Sequence, residues 1–154
     1  MIHRTRRGRG GAASVELALL LPFLCFLFVI AVDYARLFYF AVTVQNCARN
    51  GAYYASNYPN NNYNYNDIYG YKDLNDAITR DASNLSPAPT YTVGYGTSAD
   101  GPFDSSTEPA QDGYVQVTVS WTFNSLTKFP GVPSTVNLQR SAVMQIAPAM
   151  PTFH

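Results

Sequence analysis

Apolar and polar positions divide the chain into three stretches of different character. From Leu17 to Val32 (LALLLPFLCFLFVIAV) no residue is charged and nearly all are apolar, with no polar face left to meet water. Such a run reads as a membrane segment rather than an amphipathic helix. As a helix it covers about 24 Å, short of the roughly 30 Å hydrocarbon core, so it must extend. Ala12, Ala13, Ser14 and Val15 extend it upstream; Tyr34, Leu37, Phe38, Tyr39 and Phe40 extend it downstream with the aromatic character of a membrane interface. The expected span runs from about Ala13 to Phe38. Pro22 removes a backbone donor and crowds the carbonyl of Ala18, which predicts a bend or a loosened turn there.

Beyond the apolar run the period changes. Leu37, Ala41, Val44, Ala48, Gly51 and Ala55 recur at three- and four-residue steps and form a stripe of small residues, the face a stalk needs if a sheet lies against it. Only Gly51 interrupts helical propensity before Ser56, so anchor and stalk form one rod of about 44 residues, roughly 65 Å long. Asp33 and Arg36, three apart, read as an interfacial ion pair. Residues 58–71 (YPNNNYNYNDIYGY) carry no period and read as an Asn/Tyr-rich loop. Lys72 to Leu85 predicts a short helix with Leu74, Ala77, Ile78, Ala82 and Leu85 on one side, and Tyr91 to Tyr95 a short strand. After a Gly/Asp/Ser/Pro-rich connection through Gly113, Tyr114 to Phe123 alternates Val115, Val117, Val119, Trp121 and Phe123 with Gln116, Thr118, Ser120 and Thr122. Past Pro130, Gly131 and Pro133, Ser134 to Ile146 repeats the pattern, with Arg140 on its apolar side as the mark of a sheet edge or of a partner contact. The expected fold is α+β: a long N-terminal transmembrane and stalk helix on a small antiparallel β-sheet. The expected organisation is a basic head over 1–11, the helix over 12–56, and a small exported α+β domain over 57–154.

Composition supports a lipid-facing part, since 47% of residues are hydrophobic and only 13% charged. The formal net charge of zero conceals an asymmetry. Arg4, Arg6, Arg7 and Arg9 precede Ala12, whereas all ten acidic residues and only six cations follow it, which leaves the body acidic by about four charges. A body of that sign lacks the cationic surface that nucleic acid requires. The basic head instead places the N-terminus in the cytoplasm and exports the rest. Cys25 and Cys47 sit roughly 33 Å apart on one helix and do not bridge. Enzyme chemistry has no foothold: the histidines are His3 and His154, no phosphate loop occurs, and Asp67, Asp73, Asp76 and Asp81 lack the glycine and closing glutamate of a calcium loop and read as a solvated face. No cofactor, metal or small-molecule substrate is expected.

Glu16 is the exception in the apolar run. A carboxylate at the head of a membrane helix costs up to a few kcal/mol unless it reaches the headgroups or a cation. Cleavage between Gly11 and Ala12 would supply that cation, because the new α-amine would lie four residues upstream of Glu16. Gly11 suits a peptidase by letting the backbone enter a narrow cleft. A secretory signal peptide is the bland alternative, but no small-x-small pair closes the apolar run and the surroundings of Asp33 and Tyr34 are bulky and charged.

The stretch Arg9 to Pro22 (RGGAASVELALLLP) resembles the head of the TadE-like pseudopilins of tight-adherence, Flp-type pilus systems: basic residues, Gly-Ala-Ala-x-Val-Glu, an apolar run and a proline. Gln45 to Ala52 (QNCARNGA) is similar to the Asn-Ala-Ala-Arg-x-Gly-Ala pattern that follows the membrane helix in that family, with Cys47 in place of an alanine. The strand ending Trp-Thr-Phe and the last strand ending Ala-Val-Met-Gln-Ile resemble its C-terminal half. The resemblance implies a pilin-like fold, an inner-membrane location with a periplasmic domain, leader removal by a prepilin peptidase, and partners among other pilins, pseudopilins and the pilus assembly platform. On that reading Gly11 and Ala12 flank the cleavage site, Glu16 serves recognition and assembly, Pro22 is the bend, and Ala41, Val44, Ala48, Gly51 and Ala55 pack the stalk. The competing reading is a signal-anchored periplasmic interaction module unconnected with pili.

Overall fold

The computed structural model describes residues 10–57, 70–107, 110–126 and 133–148. The basic residues of the head before Gly10, most of the Asn/Tyr-rich loop, Asp67, Pro130, Gly131 and both histidines lie outside the described residues.

One helix, α1 (Gly10–Asn57), runs without interruption through Pro22. Its two halves meet different surroundings. From Ala13 to Val32 the described side chains are exposed apart from the half-buried Ile30, and this apolar half is long enough to cross a membrane. From Asp33 onward one face is buried, including Val44, Cys47, Ala48, Ala52 and Ala55. Packing therefore begins already at Asp33, within the stretch that the sequence pattern assigned to the span. The boundary moves because Arg36, Leu37 and Phe40 lean on the sheet instead of facing lipid only on all sides.

Three antiparallel strands, β1 (Thr90–Gly96), β2 (Tyr114–Asn124) and β3 (Thr135–Gln145), form a sheet in the order β1-β2-β3. Alternation in β2 explains its central place: Val115, Val117, Val119, Trp121 and Phe123 are buried against α1, while the intervening polar residues face away. Register aligns Val93, Val117 and Ala142 in one row and Tyr91, Val119 and Arg140 in the next. Arg140 is exposed on the outer strand and donates to the Gln139 carbonyl at 2.9 Å, in keeping with an edge position.

Helix and sheet match in length. From Asp33 to Ser56 the helix rises about 35 Å, close to the length of the eleven-residue β2. Each end is tied. The Ala147 amide donates to the Ser56 carbonyl at 2.9 Å beside the start of β2, and the Ser125 hydroxyl donates to Asp33 at 2.9 Å just past its end.

The second helix, α2 (Leu74–Thr79), is shorter than the apolar pattern suggests and passes into a 3-10 turn, Arg80–Ala82. Asp73 ends it on the N-terminal side: its backbone is extended and its carboxylate accepts from the Asp76 amide at 2.7 Å. Asp76 in turn accepts from the Lys72 amide at 3.0 Å and pairs with Arg80 at 3.3 Å. Ile78 of α2 seats on α1 at Gly51, where an added Cβ would lie 2.6 Å from Ile78 Cγ1 and 3.0 Å from Val117 Cγ1. A glycine there lets three elements meet.

The connection after β1 folds back on that strand. Tyr95 and Asp104 exchange backbone hydrogen bonds of 2.9 and 3.0 Å, which covers part of the β1 edge. Gly96 permits the approach, since a Cβ there would meet the Pro102 carbonyl at 2.5 Å.

Candidate functional site

The residues singled out from the sequence fall into two groups on α1. Gly11 lies in the first turn, with open space where a side chain would project. Ala12 follows in that turn, and its side chain lies outside the described set. Glu16 is exposed on the second turn, within the apolar half, and Pro22 lies inside the helix. Gly11, Glu16 and Pro22 all lie in the exposed apolar part of α1, ahead of the half that packs on the sheet. Two consecutive glycines, Gly10 and Gly11, weaken helical propensity next to the Gly11–Ala12 bond.

The second group lies on the packed half. Val44, Ala48, Gly51 and Ala55 are buried, and Ala41 packs against them at the margin of the core. Their small side chains bring the helix axis close to Val115, Val117 and Val119 of β2. Cys47 is fully buried on the same face. Burial, with the nearby Asp81 carboxylate adding to it, pushes the Cys47 thiol up to about 11. A thiol so placed is a packing group rather than a nucleophile.

Between the groups stands a cluster that the sequence pattern only half revealed. Asp33, 6% exposed, pairs with Arg36 at 3.2 Å as its spacing implies. It also accepts from the Ser125 hydroxyl at 2.9 Å and from the Leu126 amide at 3.3 Å. The pair is therefore part of the contact between helix and sheet, not only an interfacial ion pair. Arg36 lies over the Phe123 ring at 5.4 Å and the Phe40 ring at 5.9 Å, so its charge is held between a carboxylate and two aromatic faces. Phe40 packs on Trp121 at 5.0 Å, and the Trp121 indole donates to the Pro87 carbonyl at 2.8 Å. The available signal was an aspartate at the exact end of a charge-free run; its partner on a distant turn had none.

The acids near α2 also acquire roles. Asp73 and Asp76 cap the helix, and Asp81 accepts from Asn50 of α1 at 2.8 Å, joining the 3-10 turn to the stalk. All three are structural contacts between neighbouring segments.

What the arrangement can do is mechanical. It presents a long apolar helix with one carboxylate near its start, and holds the other half of that helix rigidly in a small domain. Among curated proteins and solved structures, none matches the chain. One family model does: residues 11–52, which include Glu16, Pro22 and the Gln45–Ala52 motif, match the family described as TadE-like protein, and the same segment carries the one candidate membrane helix found among the described residues.

Proposed function

We propose that the chain is a minor pseudopilin of a Tad/Flp-type pilus, made with a basic leader that a prepilin peptidase removes between Gly11 and Ala12. The observation that carries this reading is the division of α1. Its first half is apolar and exposed, with Glu16 as its one acid, and its second half is buried in the sheet domain. The TadE-like match over residues 11–52 supports a role in pilus assembly.

Cleavage changes the chemistry of the head. The new amine on Ala12 lies one helical turn from Glu16, within reach of that carboxylate on its own chain or on a neighbour. In lipid the attraction is far stronger than in water, and a single desolvated pair fixes the axial register of adjacent helices. The four arginines of the leader hold the N-terminus in the cytoplasm until cleavage, and the domain folds in the periplasm. Pro22 leaves the Ala18 carbonyl without its usual donor and provides the point where the helix bends as it passes from bilayer to fibre. Ala41, Val44, Ala48, Gly51 and Ala55 transmit the helix position to the sheet. The partners on this reading are the prepilin peptidase, other pilins and pseudopilins, and the assembly platform, in the service of adherence or secretion.

Intact-mass measurement of the membrane-extracted protein tests the reading. Cells with an active prepilin peptidase should yield a chain beginning at Ala12, and cells without it the chain beginning at Met1. Retention of Met1 in both would reject the pseudopilin reading in favour of an uncleaved anchor carrying a periplasmic interaction module.

A further inference from the structure

The exported domain has one strongly exposed large apolar side chain among its described residues after α1. It is Leu126, 70% exposed; Val143, at 37%, is next. Leu126 is not placed at random. Its amide donates to the Asp33 carboxylate, and its neighbour Ser125 donates to the same group. These bonds hold the end of β2 against the residue at which the lipid-facing half of α1 ends. From Ala13 to Val32 the helix rises about 30 Å, the thickness of a hydrocarbon core. Asp33 therefore stands at the outer boundary of that core, with Tyr34, 51% exposed, beside it at the depth where aromatic residues favour the interface. A leucine whose amide is bonded to that boundary lies within a side chain's length of lipid.

We propose that Leu126 is a second membrane contact: the β2 end of the domain rests on the bilayer, with Leu126 inserted among the headgroups and upper acyl chains. This inference rests on α1 spanning the membrane. The contact turns a domain tethered by one helix into one docked at two points. Asp33, Arg36 and Ser125 position the leucine, and Arg36 adds a cation at the depth of anionic headgroups. The occupant is the lipid surface rather than another subunit, because the backbone of this exposed leucine is tied to Asp33, the residue at which the exposed apolar half of the chain's own anchor ends.

The test uses the full chain reconstituted in phosphatidylcholine and phosphatidylglycerol vesicles, with Cys25→Ser as background. Cys47 is buried and does not label there. A nitroxide is attached to Leu126→Cys, to Leu24→Cys within the span, or to Ala99→Cys in the connection after β1, and its accessibility to oxygen is compared with that to a water-soluble nickel chelate. The oxygen-to-nickel ratio at position 126 should be several-fold above that at 99 and below that at 24. A ratio at 126 equal to that at 99 overturns the contact while leaving the anchor intact. A water-like ratio at 24 removes the anchor itself and the contact with it. A low ratio at 126 accompanied by spin-spin broadening would assign the leucine to a second copy, against the lipid proposal.

Discussion

Asp33 and Ser125 lie 92 positions apart and are joined by a 2.9 Å hydrogen bond. The contact sets where the helix stops being an anchor and becomes the spine of a domain. Below it the side chains face outward; above it one face is buried continuously to Ser56. At the other end the Ala147 amide on Ser56 performs the matching task. Movement of α1 along its own axis therefore carries the sheet with it.

Among the described residues, replacing Asp33 by alanine removes the ion pair with Arg36 and the hydrogen bonds from Ser125 and Leu126 at a nearly dry site. Arg36 keeps its place over Phe40 and Phe123 and retains access to water, so no charge is stranded. The expected loss is about 2 kcal/mol, with about 1 kcal/mol for Ser125→Ala. Thermal unfolding of the full chain in detergent measures both. The double variant should lose less than the two single losses combined, since each single change already breaks the shared bond. Strict additivity would mean that the bond contributes nothing.

Gly51→Ala pits two effects against each other. Alanine favours a helix interior by about 1 kcal/mol over glycine. Its methyl would press on Ile78 and on Val117 of the central strand, and such overpacking costs about 1 to 3 kcal/mol. Crowding should win by about 1 kcal/mol, lowering the midpoint of thermal unfolding. Ile78→Val on the Gly51→Ala background should recover part of the loss, because it removes the terminal methyl of the crowded side chain. A Gly51→Ala chain as stable as the parent would show that α2 moves aside freely.

Much of this architecture could be read from pattern. The charge-free run from Leu17 to Val32 announces a lipid-facing helix, and the strict alternation of Val115, Val117 and Val119 announces a strand with one buried face. Those signals are local, and they recur often enough to resist a single exception. The Asp33 cluster is different. Ser125 is one of many serines in the chain, and only the packing of β2 along α1 brings it to Asp33, so its role had no local trace. The fold-back of Asp104 onto Tyr95 was hidden for a similar reason: Gly96 looks like any loop glycine until the Pro102 carbonyl is seen beside it. Asp73 and Asp76 are spaced as helix-capping residues and mark the start of the helix at Leu74, whereas the apolar pattern alone begins it at Lys72. For the candidate site, Gly11 and Glu16 stand out by motif, whereas the depth at which the domain meets the bilayer required Leu126 in three dimensions.

Cys47 offers a test of the stalk core through pH. Its thiol, which ordinarily titrates near 9.0, is pushed up to about 11 by burial, with the Asp81 carboxylate adding to it. Because the folded value is the higher, the neutral thiol's contribution to stability is fully present below pH 9 and is lost as pH rises from 9 to 11, where the unfolded chain ionises first. Unfolding midpoints should fall across that window in the parent and fall less in Cys47→Ala. At pH 8 the thiolate fraction should be about a hundredfold below that of an open cysteine, so alkylation by iodoacetamide should be slow until denaturant is added. Rapid alkylation of the native chain would contradict the packing of α1 on β2.

Glu16 separates the assembly reading from a plain anchor most sharply. In a plain anchor the carboxylate is only a cost of up to a few kcal/mol at the head of an apolar helix, so Glu16→Ala should insert at least as well and leave function intact. In a pseudopilin the same change leaves the Ala12 amine without its partner in a medium where an unpaired charge is expensive. Losing one desolvated pair is worth about 3 kcal/mol, about a hundredfold in subunit association. Glu16→Gln, which keeps size and hydrogen bonding but not charge, should therefore show normal membrane insertion, a processed N-terminus and pili that fail to form. Carbonate extraction, intact mass and immunogold labelling of sheared pili read these three in turn. Pili of normal number in Glu16→Gln would show that no amine depends on this carboxylate, and subunit register would then have to come from the apolar faces alone.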